Sequence, residues 1–257
     1  MKIGCHLEGI KLCKKSGENQ FELRVPQMSI PAQVDGYQRL PIVGLTGSGK
    51  STFLNLLSGL ELPICGSVRW TFGGKEAYTV QWSQNGLNAR AATILRLHYM
   101  GFAFQDSALI PHFTVLENLI LPLRLKNISV HDAKAVAMEK LQNVLVGREN
   151  PLKISKHYPG ELSGGQKQRI ALVQSMIHDP LVLFADEPTG SLDKKTRIQV
   201  MDILFRWVDD GDHNRCLLWV THHEDDLDYS GVSHVLWVED GHVRMDNNNH
   251  PDRRGRR

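Results

Sequence analysis

"GLTGSGKST", Gly44 to Thr52, sets three glycines ahead of a lysine and two hydroxyl residues. Glycine has no Cβ to hold an anion off and reaches backbone angles other residues avoid, so such a loop lets consecutive N–H groups close around a polyphosphate. The stretch fits G-x-x-x-x-G-K-[ST], which puts Lys50 at the terminal phosphates and Ser51 on Mg²⁺. Gly44, Thr46, Gly47, Ser48, Gly49 and Thr52 are the remaining candidates of the cradle. The motif has meaning only between a strand and a helix. Here "RLPIV" (Arg39 to Val43) runs in, and "TFLNLLSGL" runs out with Phe53, Leu56, Leu57 and Leu60 at helical spacing.

Working outward, 257 residues suffice for one large α/β domain or two small ones. Hydrophobic residues make up 41% and charged residues 23%, the balance of a soluble globular chain. A net charge of +2 leaves no electrostatic footprint on the scale of nucleic acid, and no direct nucleic-acid partner is expected. The basic run "DRRGRR" (Asp252 to Arg257) reads as a poorly ordered tail, with anionic lipid or a partner protein as its alternative contacts. Cys5, Cys13, Cys65 and Cys216 form no C-x-x-C pair, which argues against a zinc site and a disulfide framework and suits a reducing cytosol. There is no leader pattern and no uninterrupted apolar run near eighteen residues, so any membrane span must come from a partner.

Along the chain, "FELRVPQMSI" (Phe21 to Ile30) alternates apolar and polar residues and predicts a half-buried strand; "GSVRWTF" and "HYMGFAFQ" predict two more. "NGLNARAATILRLH" reads as a short helix. From about 107 to 162 the pattern turns helical, with apolar stripes at three and four spacing in "TVLENLILPLRL" and "SVHDAKAVAMEKLQNVL". "GGQKQRIALVQSMIH" follows as a helix opened by glycines. "LVLFAD" (Leu181 to Asp186) and "CLLWVTHH" (Cys216 to His223) are apolar runs ending in polar residues, the pattern of parallel strands buried on both faces. "SHVLWVEDGHVRM" predicts a hairpin turning at Asp240 and Gly241. Ligands of parallel sheets bind at the carboxyl ends of the strands, where the Gly44 loop, Asp186 with Glu187, and Thr221 with His222 all fall. Asp186 suits a hard cation, and Glu187 a general base that orients and polarises water.

The quintet "LSGGQ" (Leu162 to Gln166) arises by chance in about one such chain in several thousand at average usage. With it the sequence resembles the ATP-binding subunits of ABC transporters up to about Met245. The resemblance implies a P-loop NTPase core, α/β with a mixed sheet, an N-terminal antiparallel β part and a helical subdomain inserted at about 107–162. It implies one domain over 1–245, followed by the basic tail 246–257. In that family the quintet opens a helix whose free N–H groups favour an anion. Ser163, Gly164, Gly165 and Gln166 would then meet the γ-phosphate of ATP held by a second nucleotide-binding domain, in a dimer. Gln105 of "FAFQD" would serve catalysis and Mg²⁺ together, Asp186 would ligate Mg²⁺, and Glu187 would act as the catalytic acid/base. Asp193, closing "ADEPTGSLD", would lie across the dimer interface, and His222 would contact the γ-phosphate, with His223 in place of the usual acid. ATP and Mg²⁺ are the implied ligands.

Two departures stand out. The family stacks adenine on an aromatic residue ahead of the loop, where this chain reads "LCKKSGENQF"; either Phe21 substitutes or base contact is weaker. Pro41 sits where a central strand is expected, tolerable only at that strand's first residue or on an unpaired side. "IPHFTVLENLILPLRL", "YPGELSGGQKQRIAL" and "FADEPTGSLD" are most similar to the lipoprotein-release, macrolide-export and cell-division branch, although importer ATPases share much of this wording. In that branch the cassette drives an integral membrane permease-type protein from the cytoplasmic face, the inner membrane in a bacterium. The competing expectation is a soluble non-transport member acting in DNA repair or translation. A bland alternative for "THHEDDLD" is a metal site sharing His222 and Asp226 on one helical face.

Overall fold

The computed structural model describes residues 3–16, 19–31, 38–73, 77–105, 107–147, 149–190, 192–211, 214–222 and 224–247. Its strands are β1 (Ile3–Ser16), β2 (Asn19–Val25), β3 (Met28–Pro31), β4 (Arg39–Val43), β5 (Cys65–Phe72), β6 (Tyr78–Ser83), β7 (Met100–Ala103), β8 (Val182–Asp186), β9 (Cys216–Val220), β10 (His234–Glu239) and β11 (His242–Asn247). The helices are α1 (Lys50–Leu57), α2 (Ala89–Ile94, continued by a π turn over Leu95–Tyr99), α3 (Val115–Leu125), α4 (Val130–Val144), α5 (Pro151–Ile154), α6 (Gly164–Met176), α7 (Lys194–Asp209) and α8 (Glu224–Ser230).

One mixed sheet runs β6-β5-β1-β2-β11-β10-β4-β9-β8-β7, with β3 paired to β1. From β10 through β4, β9 and β8 to β7 the neighbours are parallel, whereas β6, β5, β1 and β2 are antiparallel. Alternate side chains of the parallel strands enter two different cores. Leu183, Ala185, Leu217 and Trp219 pack with the helices α3 to α7. Val182, Phe184, Leu218 and Val220 pack with α1 and the antiparallel part. Both faces are dry, which is why these strands read as unbroken apolar runs.

Helix α1 is pinned in the second core by its own loose end. Its last carbonyls have no partner within the helix, and the indole N–H groups of Trp70 and Trp82 donate to Leu57 O at 2.8 Å and Leu56 O at 3.1 Å. The antiparallel strands β5 and β6 thereby hold the helix that carries the glycine loop.

Several sequence expectations need correction. Phe21 to Ile30 forms two strands, because Pro26 follows the end of β2 and supplies no N–H for continued pairing. The sequence reading places no strand at β1 or β6; their inward residues, among them Cys5, Leu7, Leu12, Val80 and Trp82, become a core face only once paired with β5 and β2. β11 continues to Asn247, with Asp246 and Asn247 opposite Val235 and His234, so the strand extends two residues into the segment expected as tail. Residues 248–257, the rest of that expected tail, lie outside the described residues. Pro41 is the third residue of β4. The carbonyls of Gln38 and Ile42 accept from Leu217 on β9 and from Thr221 just past its end, so the odd positions of β4 face β10, whose ladder starts at Ile42. The missing N–H of Pro41 therefore faces the point just before pairing begins.

The helical part is fastened to the core by polar side chains that periodicity does not reveal. Ser129 caps α4, whose buried stripe is Ala133, Ala137, Leu141 and Val144. In α3, Pro122 cannot donate to the carbonyl of Asn118, and Gln174 of α6 takes that carbonyl at 3.2 Å. Asn118 itself is fully buried: its Oδ1 accepts the N–H of Ile110 at 2.7 Å and its Nδ2 lies within 3.1 Å of the carbonyls of Ile110 and Phe113. Asn118→Leu should strand these backbone groups and cost about 3 kcal/mol. Urea unfolding at pH 7 measures it, and an unchanged midpoint would mean the loop finds other partners.

Candidate functional site

The loop begins where β4 stops. Gly44 has φ +152°, and a Cβ there would lie 2.0 Å from the carbonyl oxygen of Val238 and 2.8 Å from Ser48 Oγ, so only glycine fits. Gly47 and Gly49 are also left-handed, at φ +81° and +104°. Lys50 opens α1 and is buried, with Nζ donating to the carbonyls of Gly44 (3.0 Å) and Leu45 (2.9 Å). Burial pushes its pKa down, opposed by the acids Glu187 and Asp186. Thr52 is buried behind the loop, and Ser48 Oγ is buried without a hydrogen-bond partner inside the protein. That orphaned hydroxyl and the lysine held on backbone carbonyls are what a cradle built for a phosphate ester presents.

Asp186 ends β8, and Ser51 Oγ donates to its Oδ1 at 2.9 Å. Burial raises the Asp186 pKa and Glu187 adds to that rise, while the Ser51 hydrogen bond and Lys50 oppose it. Glu187 follows in a left-handed conformation, φ +45°, a strained geometry for a side-chain-bearing residue. His222 Nδ1 stands 3.3 Å from Glu187 Oε1. Gln105 reaches the same place: a Cβ on Gly190 would lie 3.2 Å from Glu187 Oε2 and 3.5 Å from Gln105 Nε2. Lys50, Ser51, Asp186, Glu187, Gln105 and His222 are thus gathered at the carboxyl ends of β4, β8, β7 and β9.

Ser163, Gly164, Gly165, Gln166 and Asp193 form a second patch. Ser163 caps α6 in a reciprocal capping box: its Oγ accepts the N–H of Gln166 at 3.3 Å, and Gln166 Oε1 accepts the N–H of Ser163 at 2.9 Å. Gly165 sits on α7, where a Cβ would come within 2.9 Å of Thr196 Cγ2. Asp193 caps α7, accepting from Lys195 N, Thr196 N and Thr196 Oγ1, and those Thr196 bonds hold its carboxyl below the usual range. Gln168, one turn into α6, ties the patches by donating to Pro188 O at 3.0 Å.

Beside the loop lies a cleft of about 530 Å³ walled by Phe21, Arg24, Thr46, Gly47, Asp240 and His242. Phe21 Cζ is 2.3 Å from where a Cβ on Gly49 would be, so the ring rests on the loop backbone. No residue of the Ser163 patch lines this cleft.

Residues 29–190 match the ABC transporter family. The chain is also 37% identical over 243 residues to the lipoprotein-releasing system ATP-binding protein LolD of Geobacter metallireducens, covering 93% of this chain and 98% of the relative. The chain belongs to the ABC transporter family. It is an ABC-type ATPase of the branch that contains the lipoprotein-release ATP-binding proteins. The LolD of Coxiella burnetii is 35% identical over 91% of this chain and 94% of its own length. A solved dimeric bacterial ABC transporter cassette superposes with a TM-score of 0.76 at 28% identity, over 96% of this chain and 99% of that one. A dimeric post-hydrolysis state of an ATP-binding cassette bound to ADP and Pi matches equally well.

Sequence reasoning missed what supports this cassette's reactive side chains. Asp226, 2% exposed, accepts from Thr189 Oγ1 at 3.1 Å and Thr221 Oγ1 at 2.8 Å, and pairs with Arg197 Nε at 3.3 Å. It joins the loop after Glu187 to the strand end before His222. Shared metal ligation by His222 and Asp226 is not the arrangement found, since Asp226 is committed to two threonines and an arginine while His222 faces Glu187. His223 lies outside the described residues. Only the run of acids in "HHEDDLD" hinted at the site, and nothing in it singles out the one carboxylate that turns inward. Asp226→Ala should remove the buried carboxylate that Thr189, Thr221 and Arg197 share and cost about 3–5 kcal/mol. Thermal unfolding together with ATP turnover checks this; wild-type values for both would show that the two loops are held otherwise.

Proposed function

We propose that this ATPase is the energy-transducing subunit of a membrane transport or force-transmission complex, in which two copies close on two ATP molecules and hydrolysis reopens them. The observation that carries the reading is the separation of the two patches. Lys50, Asp186, Glu187 and His222 meet at one set of strand ends, while the Ser163 turn opens a helix with anion-seeking amides and contributes no residue to the cleft beside the Gly44 loop. A second copy supplies the missing half to each site. The dimeric cassettes among the solved relatives support this arrangement, and the transport-system names of the relatives favour it over repair or translation.

In that site the amides of Gly44, Thr46, Gly47, Ser48 and Gly49, with Thr52 behind them, bind the triphosphate. Lys50 exchanges its backbone carbonyls for phosphate oxygens. Ser51, Asp186 and Gln105 offer the hard oxygen donors that suit Mg²⁺, and the Ser51–Asp186 contact already groups two of them. Bound there, the ion would neutralise charge on the phosphates. Glu187 orients the attacking water and takes its proton, and His222 holds Glu187 and contacts the γ-phosphate. Ser163, Gly164, Gly165 and Gln166 meet that phosphate from the second copy, with Asp193 at the rim. Phe21 walls the ribose and base end. Among the described residues no helix is long and apolar enough to cross a membrane. The membrane component is an integral permease-type partner, and this subunit sits peripherally on its cytoplasmic face. The basic tail is left with lipid or that partner.

Glu187→Gln should slow turnover by ~10²–10⁴-fold while ATP binding persists and dimers accumulate. Steady-state hydrolysis and sedimentation with ATP measure both, and undiminished turnover removes Glu187 from the chemistry. Phe21→Ala should weaken ATP binding about tenfold, in line with ~1–3 kcal/mol for a stacked base. Calorimetric titration showing the parent affinity would take the base away from that ring.

A further inference from the structure

We propose that Glu149 is a positioning residue for the two-copy phosphate site: it fixes the Ser163–Gln166 turn in the orientation from which that turn reaches the other copy's triphosphate. This rests on the dimer reading above. Glu149 lies between α4 and α5, in a stretch that carries none of the sequence signals for phosphate chemistry. Its carboxylate nevertheless fastens the α4–α5 connection to the first two turns of α6. Oε2 accepts the N–H of Val146 at 2.7 Å, Oε1 accepts Gln166 Nε2 at 2.8 Å, and both oxygens lie 3.1 Å from Arg169 Nη2.

The bond to Gln166 has a directional consequence. A carboxylate can only accept, so it claims the NH₂ end of the Gln166 amide and leaves Oε1 for the N–H of Ser163. The capping box at the start of α6 is thus oriented from outside the helix. Arg169 works from beneath. Its guanidinium is buried, reaches Gln199 of α7 at 3.4 Å, and comes within 3.5 Å of where a Cβ on Gly165 would lie. Its charge is met by Glu149, and with Thr196 it floors the first turn of α6. Glutamate, arginine and glutamine together set the tilt of the amides that the second copy must meet. A site assembled from two chains tolerates small misplacement poorly, whereas the nucleotide each chain holds on its own loop does not depend on that tilt.

The test uses the full chain carrying Glu187→Gln, in which ATP-bound dimers persist. Adding Glu149→Gln should leave the ATP Kd, measured by calorimetry at protein concentrations below dimerisation, within twofold of the parent. The protein concentration for half-maximal dimer in saturating ATP, read by sedimentation velocity, should rise at least tenfold. Glu149→Asp keeps the charge facing Arg169 but withdraws reach toward Gln166, so it should show the same split in milder degree. That variant decides the matter if the glutamine form does not fold. Parent-like dimerisation in a folded variant overturns the proposal, and so does equal loss of single-chain ATP affinity, which marks a role in the fold alone. A parent that forms no ATP-dependent dimer removes the two-copy reading itself, and the clamp with it.

Discussion

A parallel sheet with both faces dry can show polar side chains only where its strands stop. In this protein β4, β7, β8 and β9 are sealed between two cores, and their carboxyl ends release the glycine loop, Gln105, Asp186 with Glu187, and Thr221 with His222. The reactive set is crowded together because burial leaves it nowhere else to emerge. Two devices keep the arrangement in register. The tryptophans of the antiparallel part hold the far end of α1, and the buried carboxylate of Asp226 holds the loops that follow β8 and β9.

Helix α6 links the two halves of the site. Its first turn presents the Ser163 patch, its second turn grips the Pro188 carbonyl next to Glu187, and farther along Gln174 takes the carbonyl left open by Pro122 in α3. A helix touching the inserted helical part, the loop after Glu187 and the Ser163 turn is able to carry motion between them in the function proposed. Glu149 bears on the same element from the side, through the helix's own Gln166 and Arg169. The apolar contacts of α6 bury it, while these few polar contacts decide how it is aimed.

Legibility followed the physics of each feature. The loop at Gly44 was readable because its glycines stand at set positions, and at Gly44 the structure gives the reason as close packing on β10, where any Cβ would strike Val238 O. The buried strands were readable because double burial erases alternation. Strands β1 and β6 were not, since their apolar residues acquire meaning only from partners far along the chain, as when Cys5 lies opposite Trp70. Phe21 was suspected from its place before the loop, but that its ring lies against Gly49 follows from β2 joining the β10–β11 hairpin, with Arg24 N on Gly241 O at 2.7 Å.

By itself the sequence determined the candidates for the chemistry: the glycine loop, the carboxylates and imidazole that accompany it, and the glycine turn that opens a helix. Those signals are local, because a backbone that binds an anion writes its needs into consecutive residues. Only the tertiary structure decided which polar side chains serve as braces. Asn118, Asp226, Glu149 and Gln174 look like ordinary surface residues in the chain; Asp226, Glu149 and Gln174 are defined by partners that folding brings from distant segments, and Asn118 by the turn just ahead of its helix together with Gln174. A buried hydrogen bond or ion pair is a relation between positions, and no single position records it.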